Sequence, residues 1–291
     1  KTLGRQIMSI DKTQKSNVKF QHLISLAIAE DLGSGDITAA LIPEKTSASA
    51  HIISRMDAVF CGKQWASEVF RQIDPSVRLT WLVEDGDQIR ANQRLVLLEG
   101  KARSILTAER TALNFIQTLA GTATKTQQLV GLVAHTNVKL LDTRKTIPGL
   151  RVAQKYAVTV GGGYNHRIGL FDAYLIKENH ILACGGIEAA VSAARKNNPG
   201  KGVEVEVQNL DELKLALAAS VDVIMLDNFS LELMVEAVAI NKGKCKLEAS
   251  GNIDRDTLVK MAETGVDFIS IGALTKHCFA VDLSLLFDDP A

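Results

Sequence analysis

The segment VEVEVQNLDELKLALAASVDVIMLD, residues 203–227, decides the fold. VEVEV (203–207) and VIMLD (223–227) are apolar runs of strand length, and the pattern between them, 211–219, is helical. The same alternation extends outward in both directions. VKLLD (138–142), AYLIK (173–177), KLEAS (246–250) and FISIG (268–272) read as further strands, with helical stretches near 150–160, 188–196, 231–241 and 254–263. Repeated β-α units imply a parallel sheet. The strands read as apolar on both faces, as a sheet covered by helices or a closed barrel requires. Six repeats fall short of the eight strands of a full β/α barrel. The expectation is therefore an open or incomplete α/β barrel, with a doubly wound sheet second.

The amino-terminal part has a different pattern. Its first ~15 residues are polar and mixed, an arm or frayed start. FQHLISLAIAEDL (20–32) places Leu23, Ile24, Leu26, Ala27 and Ile28 on a helical face, ended by Gly33-Ser34-Gly35-Asp36. HIISR, VRLTWLV and RLVLLEG are β-like, with turn-rich DGDQIRANQ between the last two. ILTAERTALNFIQTLA (105–120) is a helix with Ala108, Ala112, Phe115 or Ile116, and Leu119 on one face. Gly121 is expected to stop it and Thr122 to cap a second helix, 123–134. The domain expectation is an α/β sandwich over 1–120, open to joining by the C-terminal segment 275–291, and a barrel over 121–274. Val83–Ile89 resembles the hairpins of biotinyl and lipoyl carrier domains, but Lys101 downstream has no motif around it, and a hairpin without a prosthetic group is preferred.

The 291 residues carry 33 Lys+Arg and 33 Asp+Glu, a net charge of zero, which argues against a generalised nucleic-acid surface or an acidic tail. At 46% hydrophobic and 23% charged, the chain has the makings of a core. No apolar run reaches the ~18 residues that span a bilayer. The start KTLGRQIMSIDKTQ has no apolar stretch of the secretory kind and no initiator Met, so the expectation is a cytoplasmic protein with a few residues missing or processed. Cys61, Cys184, Cys245 and Cys278 form no CxxC pair and are expected to be reduced, mostly buried thiols.

In β/α barrels, function gathers at the C-terminal strand ends. Here those ends read Asp142-Thr143-Arg144-Lys145-Thr146, Lys177-Glu178-Asn179-His180, Glu204 and Glu206 running into Gln208-Asn209, Asp227-Asn228, Ser250-Gly251-Asn252 and Gly272-Ala273. Between 139 and 177, Lys139, Arg144, Lys145, Arg151, Lys155, Arg167 and Lys177 face only two acids, Asp142 and Asp172, and His166 adds a further potential cation. That excess points to anionic ligands, carboxylates or phosphates. Arg151 and Lys155 are expected instead on a solvated helix face. Ser250-Gly251-Asn252 and Ser270-Ile271-Gly272-Ala273 offer backbone N–H groups that a phosphate can approach. Gly161-Gly162-Gly163 lacks the spacing of a dinucleotide fingerprint and is expected as a flexible loop presenting Asn165-His166-Arg167. Glu206 and Asp227, on neighbouring strands, suit ribose hydroxyls, Mg²⁺ or a developing cation, with an ion pair between Glu206 and Lys177 as the plainer alternative.

TAERTALNFIQTLAGTAT, DTRKTIPGLR, VGGGYNHRIGLFDAYLIKENHI, VEVEVQN, IMLDNF, SGNI and DFISIGALTKH together resemble the quinolinate phosphoribosyltransferases, from about residue 20 to the C-terminus. The resemblance implies a type II phosphoribosyltransferase fold, an N-terminal α/β sandwich plus an open α/β barrel. It implies conversion of quinolinate and 5-phosphoribosyl 1-pyrophosphate, with Mg²⁺, to nicotinate mononucleotide, pyrophosphate and CO₂ in de novo NAD synthesis. It further implies that Arg144, His166, Arg167 and Lys177 hold quinolinate, with Arg110 donated from the other subunit of a homodimer and Thr143 in the same loop. Lys145 would serve both substrates, Glu206 and Asp227 the ribose hydroxyls and Mg²⁺, and Ser250, Gly251, Asn252, Gly272 and Ala273 the 5-phosphate; Lys145, Glu206 and Asp227 are its catalytic residues. Alternatives are a nicotinate or nicotinamide phosphoribosyltransferase, a related pyrophosphorylase of molybdate-transport operons, and a non-catalytic carrier module.

Overall fold

The computed structural model describes residues 14–251 and 253–288. The polar arm expected at the start lies, up to residue 13, outside the described residues. In chain order the first elements are α1 (Gln14–Leu32), a 3₁₀ turn (Ala39–Leu41), β1 (Ser47–Ser54), β2 (Ala58–Val59), α2 (Lys63–Ile73), β3 (Arg78–Trp81), β4 (Gln88–Ile89), β5 (Arg94–Lys101) and α3 (Ala102–Leu132). Then come β6 (Lys139–Leu141), α4 (Arg151–Val160), β7 (Tyr174–Ile176), α5 (Glu178–Cys184), α6 (Ile187–Asn197), β8 (Val203–Val207), α7 (Leu210–Ala218), β9 (Val223–Asp227), α8 (Leu231–Asn241), β10 (Lys246–Ser250), α9 (Arg255–Glu263), β11 (Phe268–Ser270), α10 (Ala273–Lys276) and β12 (Leu283–Phe287).

The chain divides into two compact units: Lys1–Gln127 with Tyr156–Gly162 and His277–Ala291, and Gln128–Lys155 with Gly163–Lys276. In the first unit, antiparallel strands pair in the order β12-β1-β5-β3, and β2 pairs with β4. Its core includes Ile52, Leu95, Leu98, Phe60 and Phe70, with Ile105, Ala108, Ala112, Ile116 and Leu119 from α3. Both Phe115 and Ile116 are buried, so the two candidates for that face are used together. On α1 only part of the expected face packs: Ile24 is buried, whereas Leu26 stays 56% exposed, because positions two apart on a helix point about 200° apart. Lys101 ends β5 opposite Ser47 rather than crowning a hairpin, so the carrier-domain reading has no attachment turn to support it.

Gly121 does not stop the helix. α3 runs through it to Leu132, and the Thr122 hydroxyl donates back to the Thr118 carbonyl (3.1 Å) instead of capping a new helix. The reason for a glycine is tertiary. A Cβ at 121 would lie 1.7 Å from the Phe279 carbonyl oxygen, where the returning chain crosses α3 and Val281 N–H donates to the Gln117 carbonyl. The thiols are all free, but only Cys61 is buried; Cys184 and Cys278 are exposed, contrary to the expectation of mostly buried cysteines. Among the described residues, no helix is long and apolar enough to cross a membrane.

The second unit is built on a six-stranded parallel sheet ordered β6-β11-β10-β9-β8-β7. The first and last strands in sequence are neighbours, as in a β/α barrel, while β6 and β7 are the two edges. This is the expected open α/β barrel. Helices α7, α8 and α9 begin at Asn209, Ser230 and Asp254, whose side chains accept from the first-turn N–H groups.

Candidate active site

The strand register sorts the side chains. Glu206 is level with Met225, Met225 with Glu248, Asp227 with Ser250, and Ser270 with Leu141. Level positions of parallel strands share a face, and positions two apart share it as well. One face therefore carries Glu204, Glu206, Asp227, Glu248, Ser250 and Ser270. The other carries Val203, Val205, Val207, Ile224, Leu226, Leu247, Ala249 and Ile269, all but completely buried. The expectation of strands apolar on both faces is corrected here. The apolar face is the one available to the helices, and the opposite face gathers the acids and small polar groups beside Leu141, Met225 and Phe268.

Segment 163–168 presents Asn165, His166 and Arg167, but it is pinned rather than flexible. Tyr164 N–H donates to the Leu140 carbonyl (2.9 Å) and Asp142 N–H to the Tyr164 carbonyl (3.0 Å), extending the sheet at the edge of β6. Beneath it lie Asp142 and Lys155, both fully buried and paired with each other. Asp142 also accepts from His166 N–H (2.9 Å) and Asn165 Nδ2 (2.6 Å), and Lys155 Nζ donates to the His166 carbonyl (2.9 Å). Lys155 is thus no solvated surface residue. Arg151 is likewise engaged, with Thr146 and the Ile168 carbonyl at 3.1 and 3.0 Å. Reading α4 alone could not reveal this, because the partners come from β6 and the following loop. Burial pushes the Asp142 carboxyl up and the Lys155 ammonium down, against their mutual attraction.

His166 is held at both ring nitrogens. Nδ1 accepts from Arg167 N–H at 2.7 Å, and Nε2 faces Glu204 Oε2 at 2.9 Å and Glu248 Oε2 at 3.6 Å. Burial disfavours the imidazolium, while Glu204 and then Glu248 favour it and shift the ring upward on balance. The Arg167 donor opposes that pull, since a proton on Nδ1 would meet an N–H head on. The geometry accordingly puts the ring proton on Nε2. Glu248 is 1% exposed, and burial, then the neighbouring Glu204 charge, raise its carboxyl to about 8. Among the described residues, neither Glu204 Oε1 nor Glu248 Oε1 has a hydrogen-bond partner. Sequence reasoning passed over Glu248 and left Glu204 without a role. Their signal was a glutamate inside an otherwise apolar strand, the same signal that singled out Glu206.

Arg144 and Arg167 follow the ends of β6 and the pinned segment. Burial, then the nearby Arg144 charge, lower the Arg167 pKa, and the buried Arg144 Nε has no partner among the described residues. Two crowded guanidiniums, with the Glu204 and Asp172 charges offsetting only part of their repulsion at Arg167, make an anion site. Lys177 Nζ lies 2.6 Å from Glu206 Oε2, so the ion pair weighed as the plainer alternative is present. Asp227 is half-buried and accepts from Asn228 Nδ2 at 3.0 Å. Gly251 has φ +100°, and a Cβ there would lie 2.2 Å from Asn228 Oδ1, so backbone can come close only because the residue is glycine. Asn252 lies outside the described residues. The Lys145 side chain passes against Gly272, its carbonyl accepts from Thr275 Oγ1 (2.8 Å), and its N–H donates to Thr143 Oγ1 (3.0 Å). Ala273 opens α10. The second unit therefore brings Thr143, Arg144, Lys145, His166, Arg167, Lys177, Glu206, Asp227, Ser250, Gly251, Gly272 and Ala273 to one end of one sheet. Arg110 belongs to the first unit, exposed on α3 with Glu109 at 3.9 Å.

An open β/α barrel with cations, paired acids and small-residue loops at its carboxyl ends defines an enzyme acting on small anionic substrates. The comparisons make this specific. Residues 36–120 match the model of the quinolinate phosphoribosyl transferase N-terminal domain, and residues 122–286 that of its C-terminal domain. The chain is 39% identical over 287 residues to quinolinate phosphoribosyltransferase [decarboxylating] 1b of Nicotiana tabacum, covering 91% of this chain and 81% of that one. It is 38% identical to the probable nicotinate-nucleotide pyrophosphorylase [carboxylating] of Bacillus subtilis, covering 93% and 94%. The solved nicotinate-nucleotide pyrophosphorylase of Francisella tularensis superposes with a TM-score of 0.91 at 56% identity, over 94% of this chain and 97% of that one. The chain belongs to the quinolinate phosphoribosyltransferase family.

Proposed function

We propose that this enzyme transfers the phosphoribosyl group of 5-phosphoribosyl 1-pyrophosphate to quinolinate, releasing pyrophosphate and CO₂ and yielding nicotinate mononucleotide for NAD synthesis. The observation that carries this reading, beside the family, is the pair of crowded guanidiniums, Arg144 and Arg167, on the same sheet end as Glu206 and Asp227. Two adjacent ring carboxylates need several donors, and guanidinium forks suit them. Quinolinate sits among Arg144, His166, Arg167 and Lys177, beside Thr143. Its ring nitrogen attacks the ribose anomeric carbon as the bond to pyrophosphate breaks. No general base is required, since that nitrogen already holds a free electron pair. Glu206 and Asp227 stabilise the positive charge at the anomeric carbon and hold the ribose hydroxyls. Lys145 reaches the phosphates, and Ser250, Gly251, Asn252, Gly272 and Ala273 cradle the 5-phosphate. Loss of CO₂ leaves its electron pair on the ring carbon beside the new pyridinium, whose charge stabilises it until a proton is taken up.

Mg²⁺ fits the same acids. Glu206 and Asp227 are hard oxygen donors on adjacent strand ends, one of them already sharing its charge with Lys177. Glu206 and Asp227 would hold such an ion, which would offset the negative charge of the departing pyrophosphate. A homodimer in which Arg110 completes the partner's site is supported by the exposure of Arg110 and by Leu170 and Phe171, which stand 76% and 74% exposed just beyond Arg167. A cytoplasmic location goes with this reading. The test is a single assay with quinolinate, nicotinate and nicotinamide. Quinolinate turns over and nicotinate is rejected by ~10⁴ or more, because a site built for paired groups leaves them unpaired with the smaller ligand. Comparable turnover of nicotinate sinks the proposal.

A further inference from the structure

We infer that Gln154 and Thr275 are positioning residues: together they clamp the loop that carries Lys145 to the turn Gly272-Ala273, and so set the span across which the phosphates of 5-phosphoribosyl 1-pyrophosphate are held. The inference rests on the proposed function in naming that substrate and in giving Lys145 its phosphates.

Neither residue stands out in the sequence. Gln154 is one polar position in the first turn of α4, and Thr275 one of four residues in α10. Both are withdrawn from solvent, Gln154 at 1% and Thr275 at 0% exposure. Polar side chains so deeply buried persist where their atoms find partners. Gln154 Oε1 accepts from Ile147 N–H at 2.8 Å, and Gln154 Nε2 donates to the Thr275 carbonyl at 3.0 Å. These partners fix which end of the amide is oxygen, because one can only donate and the other only accept. Thr275 Oγ1 donates in turn to the Lys145 carbonyl at 2.8 Å. The bonds close a ring that runs from Lys145 through Thr275 and Gln154 back to Ile147. Thr275 is 121 positions from Gln154 and 130 from Lys145, so the ring joins the first βα loop of the barrel to the last. Thr275 N–H and Lys276 N–H donate to the Gly272 carbonyl at 3.3 and 2.9 Å, which ties the ring to the turn. The two walls meet there: a Cβ at 272 would lie 3.0 Å from Lys145 Cδ and 3.6 Å from Thr143 Oγ1. The loop takes its own shape from the bond between Lys145 N–H and Thr143 Oγ1 and from Arg151 at Thr146. Its position against the turn comes from Gln154 and Thr275. Both are buried and uncharged, so they act through Lys145 rather than on the substrate.

The experiment uses the full-length enzyme. Binding of 5-phosphoribosyl 1-pyrophosphate is titrated calorimetrically without quinolinate, and kcat and KM are measured with both substrates. Thr275→Val keeps the shape of the side chain and removes the hydroxyl. It is expected to weaken binding about tenfold and to raise the KM for that substrate to match, with a smaller change in kcat. Thr275→Ser keeps the hydroxyl and is expected to restore most of the affinity. Because the clamp acts through Lys145, Thr275→Val should add little in the Lys145→Ala background. A threonine that served stability alone would have the same effect in both backgrounds. Wild-type affinity in Thr275→Val, equal impairment of the Val and Ser variants, or full additivity with Lys145→Ala would each overturn the inference. Gln154→Met breaks the ring from the other side, and the same cycle is run with it if Thr275→Val does not fold. Hydrogen exchange over 143–148 is slow at the Ile147 amide in the wild type and quickens in both variants; a fast Ile147 amide in the wild type refutes the clamp whatever the variants do. If the wild type binds no 5-phosphoribosyl 1-pyrophosphate, the proposed function falls, while the exchange rates still judge the clamp.

Discussion

Replacing Lys155 by Met tests the interior of the site more sharply than any exposed residue can. The substitution keeps most of the length of the side chain, one atom short, and removes its charge. Asp142 then loses its ion partner while remaining fully buried, keeping only His166 N–H and Asn165 Nδ2 as donors. The His166 carbonyl loses its 2.9 Å donor as well. Each lost bond to a charged group is worth ~1.5–3 kcal/mol, and stranding one member of a buried pair costs ~3–5 kcal/mol in total. At roughly 2–4 °C per kcal/mol for a chain approaching this size, the thermal midpoint should fall by about 6–20 °C. The loss should shrink as pH is lowered. Burial already raises the Asp142 pKa, and without Lys155 it rises further, so the folded variant takes up a proton that the unfolded chain binds only at lower pH. Asp142→Asn combined with Lys155→Met should recover part of the midpoint, a coupling of ~0.5–3 kcal/mol. Calorimetry between pH 5 and 8 compares both variants with the wild type. A solvated lysine, as α4 alone suggests, would cost under ~1 kcal/mol. A midpoint within about 2 °C of wild type therefore refutes the buried pair.

Three further outcomes follow from the geometry. Glu248 titrates near 8 folded and near 4.5 unfolded, so the folded state prefers its proton and wild-type stability should fall as pH rises from 6 to 8, by up to ~1.4 kcal/mol per unit; Glu248→Gln should flatten that slope in calorimetry, and an unchanged slope rejects the protonated Glu248. Gly121→Ala places a Cβ against the Phe279 carbonyl and should cost about 3 kcal/mol or more, with faster hydrogen exchange at Val281; a neutral variant would mean that the crossing is looser than 1.7 Å implies. Mixing inactive Arg110→Ala with inactive Arg144→Ala under subunit exchange should restore activity, because one site of each hybrid is intact; exchange without recovery, or full activity of Arg110→Ala alone, ends the shared-site model.

Much of this molecule was legible in its sequence because the six strands are short apolar runs separated by amphipathic helices, a pattern that tertiary context does not override. The carboxyl-end residues followed from that frame. The errors share a cause, which is that a residue's reason lay in a distant part of the chain. Gly121 reads as a helix stop until the 279–283 segment is seen crossing it. Lys155 reads as solvent-facing until Asp142 appears behind it. VEVEV was read as apolar on both faces although its alternation says otherwise, since a strand with one polar face ordinarily turns that face to water. α5 was missed because Lys177-Glu178-Asn179-His180 reads as a polar strand end; its Lys177 N–H is in fact satisfied by His180 Nδ1 at 3.1 Å. Glu248 stayed hidden in KLEAS, where two charged letters in five, Lys246 and Glu248, do not disturb a strand assignment.

The open seam of the sheet carries a consequence for the lifetime of the enzyme. A bare strand edge invites another chain to pair with it, and β6 is such an edge. Here Tyr164 occupies part of it, through the two backbone bonds that pin the segment bearing His166 and Arg167. The segment proposed to hold substrate is therefore also the guard against intermolecular strand addition. Whatever peels that loop away, whether heat, a nick or a nearby substitution, uncovers a sticky edge in the same motion that scatters the cations. Inactivation and the onset of aggregation should consequently share one trigger, and an anion that seats the loop should delay both.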